Sequence, residues 1–143
     1  MPFPTRVEYE RLVYHLPETY PDVIAASTLR FYSTSALTGK LEGVVQFVNG
    51  LQLRMKEVID FRLGRIVDYS YTVLRGEERV RWYDPQPHPE LGDLAATFPH
   101  HRHEPPDLKH NRRPAPGISF LAPNLPVLIT DCVELGRGES STD

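Results

Sequence analysis

Short glycine turns divide the first 84 residues of the chain into segments with the composition of β-strands. The clearest turn is Asn49-Gly50, because both residues tolerate the positive φ that a type I′ hairpin requires and apolar segments flank them. Directly after it, residues 51–56 alternate between apolar and polar side chains, the pattern of a strand with one buried face. Further turns at Leu63-Gly64 and Arg75-Gly76 connect the next segments. We therefore expect consecutive strands in an antiparallel meander.

The meander is predicted to contain a first strand at residues 23–34, which are rich in β-branched and aromatic side chains. A turn at Thr38-Gly39 separates this strand from the second. Near Glu57–Val58 the alternation slips by one residue, which indicates a β-bulge. The five predicted strands cover residues 23–34, 41–48, 51 onward, 65–74 and 77–83.

Helices are expected at both ends of the chain. Thr5 and Glu8 have the spacing of a capping box, and residues 6–16 fit a short helix that ends near Pro17. A second helix is predicted to begin at Asn124, a good N-cap residue. Its apolar side chains recur at helical spacing until Gly136, where we expect the helix to end.

The predicted fold class is therefore α+β: a twisted five-stranded antiparallel β-meander, a short N-terminal helix, a Pro/His-rich loop over the sheet edge or face, and a C-terminal helix. Both helices are expected on one sheet face, because a lone meander must bury that face. The chain has 143 residues, enough for one domain. We assign residues 1–135 to a single α+β domain and residues 136–143 to a flexible polar tail.

Composition limits the classes of function. A net charge of −3 argues against a protein that binds nucleic acid over its whole surface. No apolar run approaches the roughly 20 residues of a membrane span, so no membrane association is expected. The single cysteine, Cys132, excludes an internal disulfide and favours a reducing, cytoplasmic location. Its apolar neighbours make buried packing a better interpretation than nucleophilic chemistry.

Residues 98–114 hold four of the six histidines. His100, His101 and His103 lie within four positions of one another, between prolines that forbid a helix and stiffen the chain. The segment has four Lys/Arg against two acidic residues, a local balance of +2 before any histidine is protonated. Histidine exchanges protons near neutral pH and is the commonest metal ligand. This segment is therefore the predicted site of any chemistry.

Several motifs, in this order along the chain, resemble those of the TumE-like toxins of bacterial toxin–antitoxin pairs. The similarity runs from about residue 29 to residue 135, and the motifs are Asn49-Gly50, Tyr69-Ser70-Tyr71, Arg81-Trp82-Tyr83-Asp84, Pro87-His88-Pro89, Phe98-Pro99-His100-His101-Arg102-His103, Pro116-Gly117-Ile118-Ser119-Phe120 and Pro123-Asn124-Leu125-Pro126. The resemblance implies a small prokaryotic protein that acts on RNA. It also implies an antitoxin partner that binds DNA and is encoded beside the toxin. It assigns no catalytic residues.

The chemistry of these residues favours RNA cleavage without a cofactor. One histidine can deprotonate the ribose 2′-hydroxyl while a second protonates the leaving 5′-oxygen, and basic groups stabilise the phosphorane. Asp84 can orient a histidine by accepting its second N–H, and Tyr83 can stack or donate. The candidate catalytic residues are His100, His101, His103, Asp84, His88 and Tyr83, and the candidate substrate-binding residues are Arg81, Arg102, Trp82 and Arg112.

Two alternatives stay open. His101 and His103 are two residues apart, so an extended backbone projects both to one side, where His88 and Asp84 can complete a site for zinc, manganese or iron. Such a site would serve a hydrolase or nuclease, or would hold the loop in place. The second alternative is a binding module in which the His/Pro loop is structural. The apolar stripe of the last helix can serve an antitoxin or a second copy, as in a homodimer.

Overall fold

The computed structural model describes residues 2–85, 99–105 and 111–140, apart from the side chains of residues 139 and 140. The helices and strands, in chain order, are α1 (Arg6–Tyr14), α2 (Leu16–Thr19), β1 (Ile24–Ser27), β2 (Arg30–Ser33), β3 (Thr38–Phe47), β4 (Leu51–Asp60), β5 (Arg65–Arg75), β6 (Glu78–Asp84), β7 (His101–His103), β8 (Arg112–Pro114) and α3 (Leu125–Ser140). The α+β class is confirmed.

Within the described residues the sheet has eight strands, so the predicted five-stranded meander is corrected. All pairs are antiparallel, in the order β1-β3-β4-β5-β6-β7-β8, and β2 also pairs with β3. Two of the extra strands come from the segment predicted as a Pro/His-rich loop, because β7 adds to β6 and β8 adds to β7. The third appears because residues 23–34 form two strands rather than one.

The break between β1 and β2 falls at Thr28 and Leu29, whose backbone packs against Gly43 of β3. A Cβ atom at Gly43 would lie 2.5 Å from the carbonyl oxygen of Thr28, and the φ of Gly43 is +141°. The predicted turn at Thr38-Gly39 is wrong, because both residues belong to β3. The absent side chain of Gly39 instead makes room for the Phe31 ring. Glycine serves close packing at these two positions rather than a reversal of the chain.

The hairpin at Asn49-Gly50 is confirmed, but its turn is of a different type. β3 ends at Phe47 and β4 begins at Leu51, so the loop has three residues. Gly50 has φ +91°, whereas no other residue type in the described segments has positive φ. This matches the three-residue hairpin, which needs one left-handed residue, and not the type I′ turn, which needs two. A register shift between Val58 and Ile59 lies beside the predicted bulge.

The predicted N-terminal helix is divided. α1 has the full capping box between Thr5 and Glu8 but ends at Tyr14, and the separate short helix α2 begins before Pro17. None of the described helices combines the length and the apolar character that a membrane crossing requires.

α3 begins as expected but does not end at Gly136, because it continues to Ser140. Residues 136–140 of the predicted tail are therefore helical, and residues 141–143 lie outside the described part. Gly136 allows close approach instead, since a Cβ there would lie 2.3 Å from Asn49 Nδ2. Asn124 lies at the predicted N-cap position, and its backbone carbonyl accepts a hydrogen bond from the N–H of Leu128. It is buried, and its amide bonds Ser119 and the Tyr71 hydroxyl.

Both helices cover one face of the sheet, which we call the core face. Tyr9 of α1 donates a hydrogen bond to Glu57, and Asp131 of α3 accepts one from Tyr83. Glu57 and Tyr83 are on the same face, because antiparallel partners point the same way across β4, β5 and β6. The residues between them along each strand form the opposite face, which we call the open face. In β4 it exposes Arg54 and Lys56.

Candidate functional site

Strand pairing brings Asp84, His101 and His103 together. Asp84 ends β6 and pairs with His101 at the start of β7, while Trp82 pairs with His103. Side chains two residues apart share a face of a strand, so these four groups all point to the open face. The backbone ladder, rather than a loop, therefore positions the two imidazole rings beside the carboxylate. The structure brings these three candidate catalytic residues into one cluster, the His/Asp centre.

One carboxylate serves both rings of the His/Asp centre. Oδ1 of Asp84 lies 3.1 Å from Nε2 of His101, and Oδ2 lies 3.1 Å from Nε2 of His103. The His103 contact is a hydrogen bond, whereas the His101 contact is close without hydrogen-bond alignment. The side chains of His101 and His103 are only 1% and 4% exposed, and that of Asp84 is 14% exposed. The carboxylate is thus the part of the centre nearest to solvent.

The other ring nitrogen of His101 faces a backbone carbonyl. Nδ1 lies 3.3 Å from the oxygen of Pro99, which can only accept a hydrogen bond. The other nitrogen, Nε2, lies 3.1 Å from the Asp84 carboxylate, so both ring nitrogens face oxygen acceptors. The His101 ring is therefore held from both sides, with Nε2 directed at Asp84.

His100 has a different environment from its two neighbours. Its Nδ1 lies 2.6 Å from the hydroxyl of Tyr69, and its ring packs edge-on against Phe120 at 4.6 Å. Burial lowers the pKa of His100, and the neighbouring His101 and Arg65 lower it further. Burial likewise raises the pKa of the Tyr69 phenol. The sequence predicted three histidines in one cleft, but the cluster around Asp84 contains His101 and His103 and not His100.

Trp82 and Arg112 flank His103 on the open face. The Trp82 ring is stacked on the His103 ring at 4.7 Å, and the guanidinium of Arg79 lies 5.8 Å from the centre of the Trp82 ring. Arg112 of β8 pairs with His103 on the opposite side from Trp82. Both candidate substrate-binding residues therefore lie beside the centre.

Arg81, Arg102 and Tyr83 point to the core face instead. Glu104 Oε1 lies 3.0 Å from Arg81 Nη2 and 2.9 Å from Arg102 Nε, and Tyr83 donates a 2.8 Å hydrogen bond to Asp131. Burial raises the pKa of the fully buried Tyr83. Strand alternation therefore separates these three candidate residues from the His/Asp centre and places them on the opposite face of the sheet.

Two further residues considered in the sequence analysis are His88 and Cys132. His88 lies outside the described residues. Cys132 is buried, and burial raises the pKa of its thiol to about 12, in line with a packing role. Sequence reasoning missed Glu104 and Asp131 as the partners of the two arginines. The sequence shows basic residues at alternating strand positions, which indicates that they share a face. Which acidic residues they meet follows only from the pairing of β6 with β7.

A cleft opens beside the centre on the outer part of the sheet. It has a volume of about 480 Å³, and its lining comprises Val67, Asp68, Tyr69, Ser70, Trp82, Asp84, Pro85 and Phe120. A second cleft of about 260 Å³ shares Asp68, Tyr69 and Ser70 with the first and extends to Lys40 and Lys56. The two concavities thus adjoin, and the carboxylate of the His/Asp centre is at one end.

The fold and site define a class of protein: an α+β domain with a histidine–aspartate centre on the open face of an antiparallel sheet. The family model described as Toxin TumE matches residues 11–135. The chain belongs to the TumE toxin family. Neither a search of curated proteins nor a search of solved structures returned a match.

Proposed function

We propose that this toxin cleaves RNA at the His/Asp centre and that an antitoxin neutralises it. The observation that carries the proposal is that one partly exposed carboxylate holds two buried imidazoles, at the end of a cleft, in a member of a toxin family. The family supports the toxin role and suggests the antitoxin partner. The centre supplies groups that can move a proton or bind a cation.

A row of side chains across the open face favours a nucleic-acid substrate. Cross-strand pairing aligns five residues on five neighbouring strands: Arg54, Thr72, Trp82, His103 and Arg112. With neighbouring strands about 4.8 Å apart, the row spans roughly 19 Å. Arginines at both ends can bind phosphates, and a tryptophan in the middle offers an edge or face to a base. Arg112 is partly buried and pairs with His103, which places its positive charge beside the His/Asp centre, where it can serve a phosphate.

RNA is favoured over DNA because it carries its own nucleophile. Attack by the 2′-hydroxyl on the adjacent phosphorus forms a 2′,3′-cyclic phosphate and expels the 5′-oxygen, which takes up a proton. The His/Asp centre can assist in two ways. A neutral imidazole can accept the hydroxyl proton directly, or a cation held by the three residues can acidify the hydroxyl and neutralise the phosphate. Arg112 is the nearest candidate to stabilise negative charge on the phosphate.

The partner and location follow from the same proposal. An antitoxin that binds DNA would be produced with the toxin and would bind it tightly enough to block the open face. RNA cleavage would take place in the cytoplasm, where the substrate is. A second copy of the toxin is the other candidate partner. The mass of the purified protein in solution shows whether a homodimer forms.

The proposal is tested by the exchange Asp84→Asn. It removes the charge that both imidazoles face but keeps the size of the side chain. We expect loss of toxicity in cells and a fall in RNA cleavage of about 10²-fold or more, the usual contribution of a proton-transfer group. Cleavage is measured on a single-stranded RNA and on the same RNA with a 2′-deoxy sugar at the cut, which should resist.

Asp22→Asn is the matched control, because Asp22 is exposed and distant in sequence from the centre. This variant should retain the RNA cleavage and the toxicity in cells of the unchanged protein. Normal cleavage by a folded Asp84→Asn protein would remove the centre from the reaction. Cleavage at the 2′-deoxy position would exclude the 2′-hydroxyl as nucleophile. Absence of cleavage by the unchanged toxin on every RNA tried would favour a binding module.

A further inference from the structure

We infer that Asp84, His101 and His103 form a binding site for one divalent first-row transition metal, with zinc as the preferred ion. The inference concerns the same three residues as the proposed function, but it stands on their geometry and holds whatever the substrate is. Metal binding and RNA cleavage are measured separately, so either can fail without the other.

The donor atoms converge as a metal site requires. One ligand atom from each residue lies within 4.8 Å of the other two, and each Nε2 is 3.1 Å from an oxygen of the carboxylate. Ligands bound at about 2.1 Å in a tetrahedral site are roughly 3.4 Å apart. The two imidazole–carboxylate contacts are already near that separation. Small rotations of the partly exposed Asp84 side chain would bring one of its oxygens to the common point.

The surroundings of His101 resemble those of a metal-binding histidine. Its Nδ1 lies 3.3 Å from the carbonyl oxygen of Pro99, an acceptor that can hold the Nδ1 proton when Nε2 binds an ion. A metal-binding histidine usually donates its other ring N–H to a backbone carbonyl or carboxylate in just this way. Nε2 lies 3.1 Å from Oδ1 of Asp84, and a cation bound between these two atoms would be attracted by both of them.

The second histidine is held in position by its neighbours. The His103 ring is stacked on Trp82, and it is inclined to the His101 ring by 60° with ring centres 5.0 Å apart. Both rings are nearly inaccessible to solvent and are attached to a strand that pairs on both sides. A ligand pair fixed by a backbone ladder loses little conformational entropy when it binds an ion.

The donor set selects the class of ion. Two imidazoles and one carboxylate suit zinc, manganese and iron, whereas magnesium and calcium prefer oxygen ligands throughout. Three protein ligands leave at least one position for water or substrate, as in catalytic rather than structural zinc sites. The exposed edge of Asp84 in the cleft is where that position would open.

The test is equilibrium dialysis of the tag-free full-length protein against zinc, followed by elemental analysis. We expect one zinc per chain, little binding of magnesium or calcium, and an affinity more than about tenfold lower in His103→Gln and in Asp84→Asn, since even an outer-shell partner is worth that much. His15→Gln is the control, because His15 is exposed on the N-terminal helical segment and should keep full affinity. Binding that survives His103→Gln and disappears in His15→Gln would overturn the inference.

A second measurement uses the unchanged protein, so its result does not depend on whether the variants fold. Long-range ¹H–¹⁵N NMR at mildly alkaline pH reports which nitrogen of His101 is protonated. We expect that added zinc shifts the Nε2 resonance and leaves the ring protonated on Nδ1 alone. Protons on both nitrogens, with no response to zinc, would mean that an imidazolium–carboxylate pair occupies the centre, and the metal site would be rejected.

Discussion

His101, Arg102 and His103 follow one another in β7, yet they belong to two different environments. The two histidines point to the open face and Asp84, whereas Arg102 points to the core face and Glu104. The reason is the two-residue period of an extended strand, which separates neighbours more completely than any difference in their chemistry. At the scale of residues, a basic run of sequence thus contributes two side chains to the His/Asp centre and one to an ion pair on the core face.

The lowered pKa of His100 predicts a pH dependence of stability. Burial is its main cause, so the folded protein takes up a proton at this ring less readily than the unfolded chain, whose ordinary value is about 6.5. The free energy of unfolding should therefore fall as the pH drops from about 7.5 to about 5, because the unfolded state gains the proton first. Urea unfolding of His100→Gln over this range should show a smaller fall than the unchanged protein.

The same series with His15→Gln is the control for His100. His15 is exposed, so this variant should show the full fall of the unchanged protein. An equal fall in His100→Gln and in the unchanged protein would mean that other groups cause the dependence. The hydroxyl of Tyr69, which contacts His100, does not titrate in this range because burial raises its pKa further.

At the scale of elements, the side chain of Asn49 connects the β3–β4 hairpin to α3. Asn49 donates to the carbonyl of Cys132 at 3.3 Å, and its Oδ1 accepts from the backbone of Leu51 at 3.0 Å. Gly136, one turn after Cys132, leaves the space that the Asn49 amide occupies. The helix continues through this glycine because the contact with the hairpin compensates for its low helix propensity.

Two glycines of α3 make a matched pair of tests. Replacing glycine by alanine in a helix stabilises by up to about 1 kcal/mol where space allows. A Cβ at Gly138 meets nothing within 4 Å. Because Gly138 lies near the helix end, Gly138→Ala should raise the free energy of unfolding by about 0.3–1 kcal/mol. Gly136→Ala must displace Asn49 and its hydrogen bonds, each worth about 1 kcal/mol. Thermal or urea unfolding should therefore rank Gly138→Ala above Gly136→Ala, and the reverse order would contradict the packing described.

At the scale of the whole molecule, a buried carboxyl group connects both helical ends to the sheet. Glu57 of β4 accepts hydrogen bonds from Tyr9 of α1 and Tyr71 of β5, and Asn124, just before α3, donates to the Tyr71 hydroxyl at 2.9 Å. Burial raises the pKa of Glu57, while the two tyrosine hydrogen bonds oppose that effect. The core face is thus specified by a polar network as well as by apolar packing.

The exchange Tyr71→Phe tests how much this network stabilises the fold. It removes the hydroxyl shared by Glu57 and Asn124 and leaves two buried polar groups short of a partner. We expect a loss of about 1–3 kcal/mol in the free energy of unfolding. Tyr32→Phe is the control, since Tyr32 is 39% exposed and should change the free energy by less than about 0.5 kcal/mol. Equal effects would show that the network contributes nothing beyond packing.

What the sequence by itself determined is the local part of this protein: the capping box of α1, the strands from β3 to β6 and the hairpin at Asn49-Gly50. Alternation, caps and turns involve residues a few positions apart, so their physics is contained in short segments. Only the tertiary structure decided that the histidine segment is a strand, because its partner Asp84 lies across a long connection. That pairing chose which side chains meet, placing His101 and His103 with Asp84 while directing Arg102 to the core face and His100 to Tyr69.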